Sequence, residues 1–245
     1  MNFQGLAALV KMELKKYIRQ PANLFLAILF PAVLTLTFGF VFSDPEMGMD
    51  INVLVPGLIS YSIIFIIMTI AQSFTAERQE GLLIRMNTTR MTASEFMGSH
   101  IITNMLIAIS QVVIVLVIAV LIGFRPTSGV EGVLLALPIA ALFSLSSVGL
   151  GLITATISKS PEAATGLSFV FILPQMFFGT FIPITETTRQ IAMFMPSYYV
   201  RDALTLIFGG DWANTNILLD VGVISIVSVV IVAVGIMLFK KYGNV

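Results

Sequence analysis

Six long apolar stretches dominate the sequence, at 22–43, 51–74, 100–124, 133–157, 163–183 and 217–239. The first five contain no Asp, Glu, Lys or Arg, and the sixth carries only Asp220, close to its start. A helix needs about 20 mainly apolar residues to cross roughly 30 Å of hydrocarbon, so each stretch is long enough to span with some tilt. The runs are apolar on all sides, unlike the alternating pattern of a membrane β-barrel. Composition agrees: 57% of the 245 residues are hydrophobic, 11% are charged, and the mean hydropathy is +0.99. Soluble domains carry about 25% charged residues, and disorder needs low hydrophobicity, so both classes are excluded. The expected fold class is an all-α integral membrane protein of six transmembrane helices. Residues 1–245 form a single domain, because six helices leave no room for a second.

The first stretch begins only after about 20 residues. Its end, Gly39-Phe40-Val41-Phe42, lacks the small-residue pattern of a signal-peptide cleavage site, so it is expected to stay as a span. Basic residues set the orientation. With the N-terminus inside, the inner segments hold Lys11, Lys15, Lys16, Arg19, Arg78, Arg85, Arg90, Lys159, Lys240 and Lys241. The outer loops hold only Arg125, Arg189 and Arg201, and they collect acidic residues including Asp44, Glu46, Asp50, Glu131, Asp202 and Asp220. Both termini are therefore expected in the cytoplasm of a multi-pass protein of the cell membrane. The 13 basic and 13 acidic residues cancel, which gives no bias toward nucleic acid.

Three segments outside the spans carry further information. In residues 3–20, Phe3, Leu6, Val10, Leu14, Tyr17 and Ile18 share one helical face, with Lys11, Lys15, Lys16 and Arg19 largely opposite. This pattern predicts an amphipathic helix in the membrane interface, ended by Pro21. It serves either as a simple anchor or as an elbow that also touches a cytoplasmic partner. The inner segment 75–99 opens on Thr75-Ala76-Glu77-Arg78-Gln79-Glu80-Gly81-Leu82-Leu83, good helix formers that extend the second span to a stop near Gly81. Thr92-Ala93-Ser94-Glu95 is a capping box that starts the third helix. The resulting charged hairpin reads either as a solvated turn or as a docking surface. The outer segment 183–216 contains Pro183, Pro196 and Gly209-Gly210 between apolar pieces too short to span. Short re-entrant or interfacial helices fit it, with Tyr198, Tyr199 and Trp212 suited to the membrane interface.

With Asp220 assigned to the outer loop, the spans read as free of ionisable residues, which disfavours an ion-coupled carrier or a charge-lined pore. His100 reads as an interfacial residue, and one histidine in the chain argues against a His-based metal cluster. There is no cysteine, no G-x-S-x-G elbow and no G-x-x-x-x-G-K-[ST] loop, so no catalytic, cofactor-binding or metal residue is assigned. Gln72, Asn104, Gln111 and Gln175 lie within spans, where they either bond to other helices or line a path for an amphipathic molecule. In the fourth span, Ala136, Ala140, Ser144, Ser147, Gly151 and Ala155 recur at spacings of four and three, a stripe suited to close helix packing within one subunit.

Taken in order, these features resemble the membrane permease subunit of ABC type-2 exporters. Glu77-Arg78-Gln79-Glu80-Gly81-Leu82-Leu83 resembles the family's E-R-x-x-G-t-l stretch, and Thr89 with Thr92–Glu95 resembles the threonine-rich turn after it. Phe181-Ile182-Pro183 and Met195-Pro196-Ser197-Tyr198-Tyr199-Val200-Arg201-Asp202-Ala203-Leu204 resemble its outer F-x-P and l-P-x-x-y-x-x-d-a-l signatures. Arg90 and Met91 stand where the family often has proline and a small residue.

The resemblance implies a permease dimer, with a homodimer expected, working with two cytoplasmic ATP-binding cassette subunits that hold the ATP and Mg. It implies that the hairpin couples to the ATPase through Glu77, Arg78, Glu80, Gly81, Arg85, Thr92 and Glu95. It adds the elbow residues Lys11, Lys15, Lys16 and Arg19 to the same contact, and makes Pro183, Pro196, Tyr198, Tyr199 and Asp202 an outer gate. The expected function is ATP-driven export of a hydrophobic or amphipathic compound, such as a drug, antibiotic or lipid. The alternatives are a lipid-linked glycan or peptide exporter, and a non-transporting scaffold for a cytoplasmic ATPase.

Overall fold

The computed structural model describes residues 3–19, 21, 25, 29–42, 51–81, 93–181 and 185–242, and no strand occurs among them. The elements are α1 (Phe3–Arg19), α2 (Phe30–Phe42), α3 (Ile51–Ile64), α4 (Ile66–Gln79), α5 (Ala93–Ile122) and α6 (Gly129–Ile157). They continue with α7 (Pro161–Met176), a π-helical turn (Phe177–Phe181), α8 (Glu186–Ala192), α9 (Pro196–Gly209) and α10 (Thr215–Tyr242). Five helices are long and apolar enough to cross a membrane: Ile51–Gln79, Glu95–Ile122, Gly129–Ile157, Pro161–Thr180 and Thr215–Phe239. The first predicted span appears as the shorter apolar helix Phe30–Val41, and the rest of 22–43 lies largely outside the described residues.

The helix Ile51–Gln79 is the axis of the molecule. It is 29 residues long, about 43 Å at 1.5 Å per residue. It joins α3 to α4 through a single turn residue, Phe65. Of its most apolar segment, 89% is buried inside the chain, against 17% for the last helix, so it is enclosed by protein while α10 faces outward. Its neighbours are α2, α5, α6, α7, α9 and the π-turn along α3, and α6 and α7 along α4. Buried isoleucines line it at 59, 63, 64, 66, 67 and 70.

Close packing around this axis depends on small residues. The stripe in the fourth span is buried within the chain, as the sequence implied: Ala136, Ala140, Ser144, Ser147 and Ala155 are all at 0% exposure. A Cβ on Gly151 would sit 2.7 Å from the Ile70 side chain and 2.8 Å from the Ile67 carbonyl oxygen. On the other side of α6, a Cβ on Gly149 would lie 2.6 Å from the Val232 amide nitrogen, and one on Gly235 would lie 2.6 Å from the Gly149 carbonyl oxygen. Here α6 and α10 meet backbone to backbone, and a 2.7 Å hydrogen bond joins the Ser146 and Ser228 hydroxyls.

The turns follow their sequence signals. Gly81 adopts φ +67° just after α4, with its amide donating to the Arg78 carbonyl, so it ends the helix in the left-handed conformation glycine favours. Ser160 caps α7 by accepting from the Ala163 amide, and Pro161 takes the first helical position. The outer segment forms two short helices. α8 begins in a capping box between Thr185 and Thr188, and α9 ends at Gly210 with φ +79°.

The packing at Gly149 yields a prediction. Gly149→Leu forces α6 and α10 apart, an overpacking cost of about 1–3 kcal/mol or more. Gly222→Ala, with nothing within 4 Å of the added carbon, is expected to leave stability unchanged or slightly raised. Thermal unfolding of the two variants in the same detergent checks the contrast.

Candidate functional site

At one end of the bundle, the end assigned from sequence to the cytoplasm, three helices bring charged groups together. α1 lies along the start of α5, burying Leu6, Leu9 and Glu13 at spacings of three and four. This face differs from the predicted apolar stripe, since Ile18 is 70% exposed and the carboxylate Glu13 is 3% exposed. Glu77, on the last turn of α4, is 1% exposed. His100, on α5, is 3% exposed and packs between the Phe74 ring at 4.4 Å and the Phe96 ring at 4.7 Å. The expectation of an interfacial histidine is therefore corrected, because α1 covers it.

The contacts within the cluster are specific. Lys16 Nζ donates to Glu77 Oε1 at 2.5 Å and to Ser73 Oγ at 3.2 Å, and Ser73 Oγ donates to Glu77 Oε1 at 3.1 Å. His100 Nε2 lies 3.5 Å from Glu77 Oε2 and 3.7 Å from Glu13 Oε1. Burial pushes the Glu13 carboxyl above its usual range; Glu77 adds to this, while His100 and Lys16 work against it. Burial works against the Lys16 ammonium, but the charge and hydrogen bond of Glu77, with the nearby Glu13 and Glu80 carboxylates, together outweigh it and raise its pKa. A cleft of about 460 Å³ opens beside the cluster, lined by Glu13, Lys16, Arg19, Glu77 and Glu80 among others.

The same helix end is tied to a second element. The Arg78 guanidinium donates to the Ser158 carbonyl, and Gln79 Nε2 donates to the Lys159 carbonyl at 2.9 Å. The end of the central helix is thus fastened on one side to α1 and on the other to the turn between α6 and α7.

Of the coupling residues named from sequence, Glu77 and Arg78 therefore make these internal contacts, and Glu80 and Gly81 stand at the outward end. Glu95 is buried in the first turn of α5. Arg85 and Thr92 lie outside the described residues, as does most of the hairpin between them. Among the elbow cations, Lys11, Lys15 and Arg19 are exposed, while Lys16 is drawn into the cluster. Sequence reasoning passed over Glu13. The usable signal was a carboxylate on the otherwise apolar face that also carries Leu6, Val10 and Tyr17.

At the other end, α9 is packed between α3, α6 and α10. Pro196 and Tyr198 are buried, so Tyr198 is not the interfacial residue expected, whereas the Tyr199 hydroxyl donates to the Met193 carbonyl at 2.9 Å. Asp202 meets Asp220 side chain to side chain. Asp220 lies inside the α10 helix and is 6% exposed, and Glu77 lies inside the Ile51–Gln79 helix. The long helices are therefore not free of ionisable residues: the helical ladder of the second span runs past residue 74 to Glu77, and Asp220, within the sixth apolar stretch, belongs to α10 and not to the loop before it. Pro183 lies outside the described residues.

The four amide residues are dispersed. Gln72 donates to the Thr165 hydroxyl at 2.5 Å across α4 and α7, and Asn104 donates to the His100 carbonyl at 2.8 Å. Gln111 is buried on α5, and Gln175 is buried beside Ser197, whose hydroxyl donates to the Gln175 carbonyl at 3.1 Å. A mainly apolar cleft of about 280 Å³ lies between α6, α7, α10 and the outer segment, lined by Leu150, Phe171, Pro174, Gln175, Phe194 and Ile231 among others.

A buried central helix, a basic helix folded against its charged end and two short helices over the other end define a multi-pass membrane protein of the transporter-permease kind. The chain belongs to the ABC-2 type transporter family, whose profile matches residues 4–208. No curated protein matches it closely enough to serve as a relative. Family membership makes the chain a transmembrane permease component, with ATP turnover falling to a partnering ATP-binding cassette subunit.

The Lys16–Glu77 pair gives a direct test. Lys16→Met strands a buried carboxylate, at a cost of about 3 kcal/mol, whereas Lys16→Met combined with Glu77→Gln recovers most of it. Hydrogen exchange across residues 3–19 and thermal unfolding should both rank the variants in that order.

Proposed function

We propose that the chain is the permease subunit of an ATP-driven exporter that moves a hydrophobic or amphipathic compound out of the cytoplasm or the inner leaflet. Two copies form the membrane pathway and two ATP-binding cassette subunits, holding ATP and Mg, dock on the cytoplasmic face. Both termini lie in the cytoplasm and the protein resides in the cell membrane.

The observation that carries this reading is the double fastening of the end of α4. Lys16 joins it to the elbow, and Arg78 and Gln79 join it to the 158–160 turn. A displacement applied to the hairpin at 77–95 then moves α1, the central helix and the α6–α7 turn as one unit. Glu80 and Gly81, at the outward end, supply the contact with the ATPase, together with the hairpin residues Arg85 and Thr92. Glu77 and Arg78 carry the force inward. The short outer helices, with Pro196, Tyr199 and Asp202, act as the gate at the far end. The apolar cleft beside Gln175 supports an amphipathic substrate, because it pairs a hydrophobic wall with one amide.

The test is made with the purified complex in proteoliposomes. Glu80→Ala is expected to leave membrane insertion intact and to abolish stimulation of ATP hydrolysis by transported compound. Arg78→Ala is expected to cut transport per ATP by about 3- to 30-fold, the range of a 0.5–2 kcal/mol coupling loss. ATP turnover that no hydrophobic compound stimulates, in a wild-type complex that still assembles, would favour the scaffold reading instead.

A further inference from the structure

We propose that Glu13, Glu77 and His100 form a site for a divalent metal ion of the zinc class, which clasps the N-terminal helix to the central helix and to α5. Ligand atoms of the three residues lie within 4.8 Å of one another, and each residue comes from a different helix.

The donor atoms point to a ligand and not to a simple polar contact. His100 Nε2 and Glu77 Oε2 are buried, and neither has a hydrogen-bond partner among the described residues. Their separation of 3.5 Å, and the 3.7 Å from His100 Nε2 to Glu13 Oε1, exceed hydrogen-bond length. They suit two donors held by one ion, since arms of about 2.0–2.2 Å at tetrahedral angles place donors roughly 3.4 Å apart. An imidazole with two carboxylates is a donor set that zinc and its neighbours accept.

The surroundings are arranged as they are around metal ligands. Lys16 and Ser73 both hydrogen-bond Glu77 Oε1, which fixes that carboxylate while leaving Oε2 to face the histidine. Lys16 therefore occupies the oxygen that the metal does not need. The Phe74 and Phe96 rings hold the imidazole plane. The cleft lined by Glu13, Lys16, Glu77 and Glu80 provides an entry route and room for a water as a further ligand. This inference does not depend on the exporter reading, because it concerns only how α1 is held.

The experiment uses the full chain, purified in mild detergent, stripped with EDTA and dialysed against Zn²⁺, with bound metal counted by elemental mass spectrometry. The expected result is one zinc per chain. In His100→Gln and Glu13→Gln the affinity falls by at least about tenfold, and in the distant control Glu131→Gln it is unchanged. Co²⁺ substitution should give the intense visible bands of a tetrahedral ligand field, lost in the same two variants. Circular dichroism and elution profile confirm that each variant is folded. Should His100→Gln fail that check, Ser73→Ala replaces it, with a smaller but measurable loss expected from the loosened Glu77. Less than half an equivalent of zinc in the wild type, or equal binding by wild type and variants, overturns the proposal.

Discussion

The end of the central helix must be made neutral where it leaves the bundle, and much of the molecule is arranged around that requirement. Ile51–Gln79 is enclosed by protein along most of its length, and Glu77 near its end is itself buried. A buried carboxylate persists only with a partner. Lys16 supplies it, and Lys16 can do so only if α1 folds back along α5. The same fold places Glu13 and His100 against Glu77 and gives the N-terminal helix a fixed seat. An amphipathic helix held by lipid alone would be free to slide, whereas this one is registered by a charge pair and by Leu6 against Gly98.

Backbone proximity performs the equivalent task between the helices. In a membrane, apolar contact with a neighbouring helix is no better than contact with lipid, so association relies on close packing and on hydrogen bonds. The contacts of Gly149 with Ile231 and Val232, and of Gly151 with Ile67 and Ile70, provide the first, and Ser146 with Ser228 provides the second. α6 thereby becomes the bridge between the buried axis and the outward-facing α10. The close fit also implies that α4, α6 and α10 move together, since none can shift without opening a backbone contact.

Much of this was legible in the sequence. Long apolar runs marked the helices, the small-residue stripe marked the face that α6 buries, and Gly81 marked the end of α4. What escaped the reading was tertiary. His100, Glu13 and Glu77 are separated by tens of residues, and none belongs to a local motif with the other two. Asp220 reads as a loop residue by its charge although it falls inside the apolar run 217–239, and a helix can carry an acid inside its first turns if another helix covers it. Tyr198 was placed at the interface for its amphipathic ring, although α9 turns it inward. Each error arose where burial by a neighbouring element overrode the preference of the single residue.

The polar groups that neighbouring helices draw inward share a position that bears on mechanism. In every case a polar group thought to face solvent or lipid lies at a junction between helices, Glu77 and His100 at one end and Asp202 and Asp220 at the other. Polar contacts at helix ends have discrete partners, so a helix either keeps them or changes them, whereas apolar surfaces permit gradual sliding. A transporter needs two stable arrangements and a defined step between them. Charge clusters at both ends of a closely packed core suit that need, because they can re-pair while the core moves as a unit. The Arg78 and Gln79 bonds to the 158–160 turn place one such set of contacts at the base of the hairpin, where a partner subunit would act.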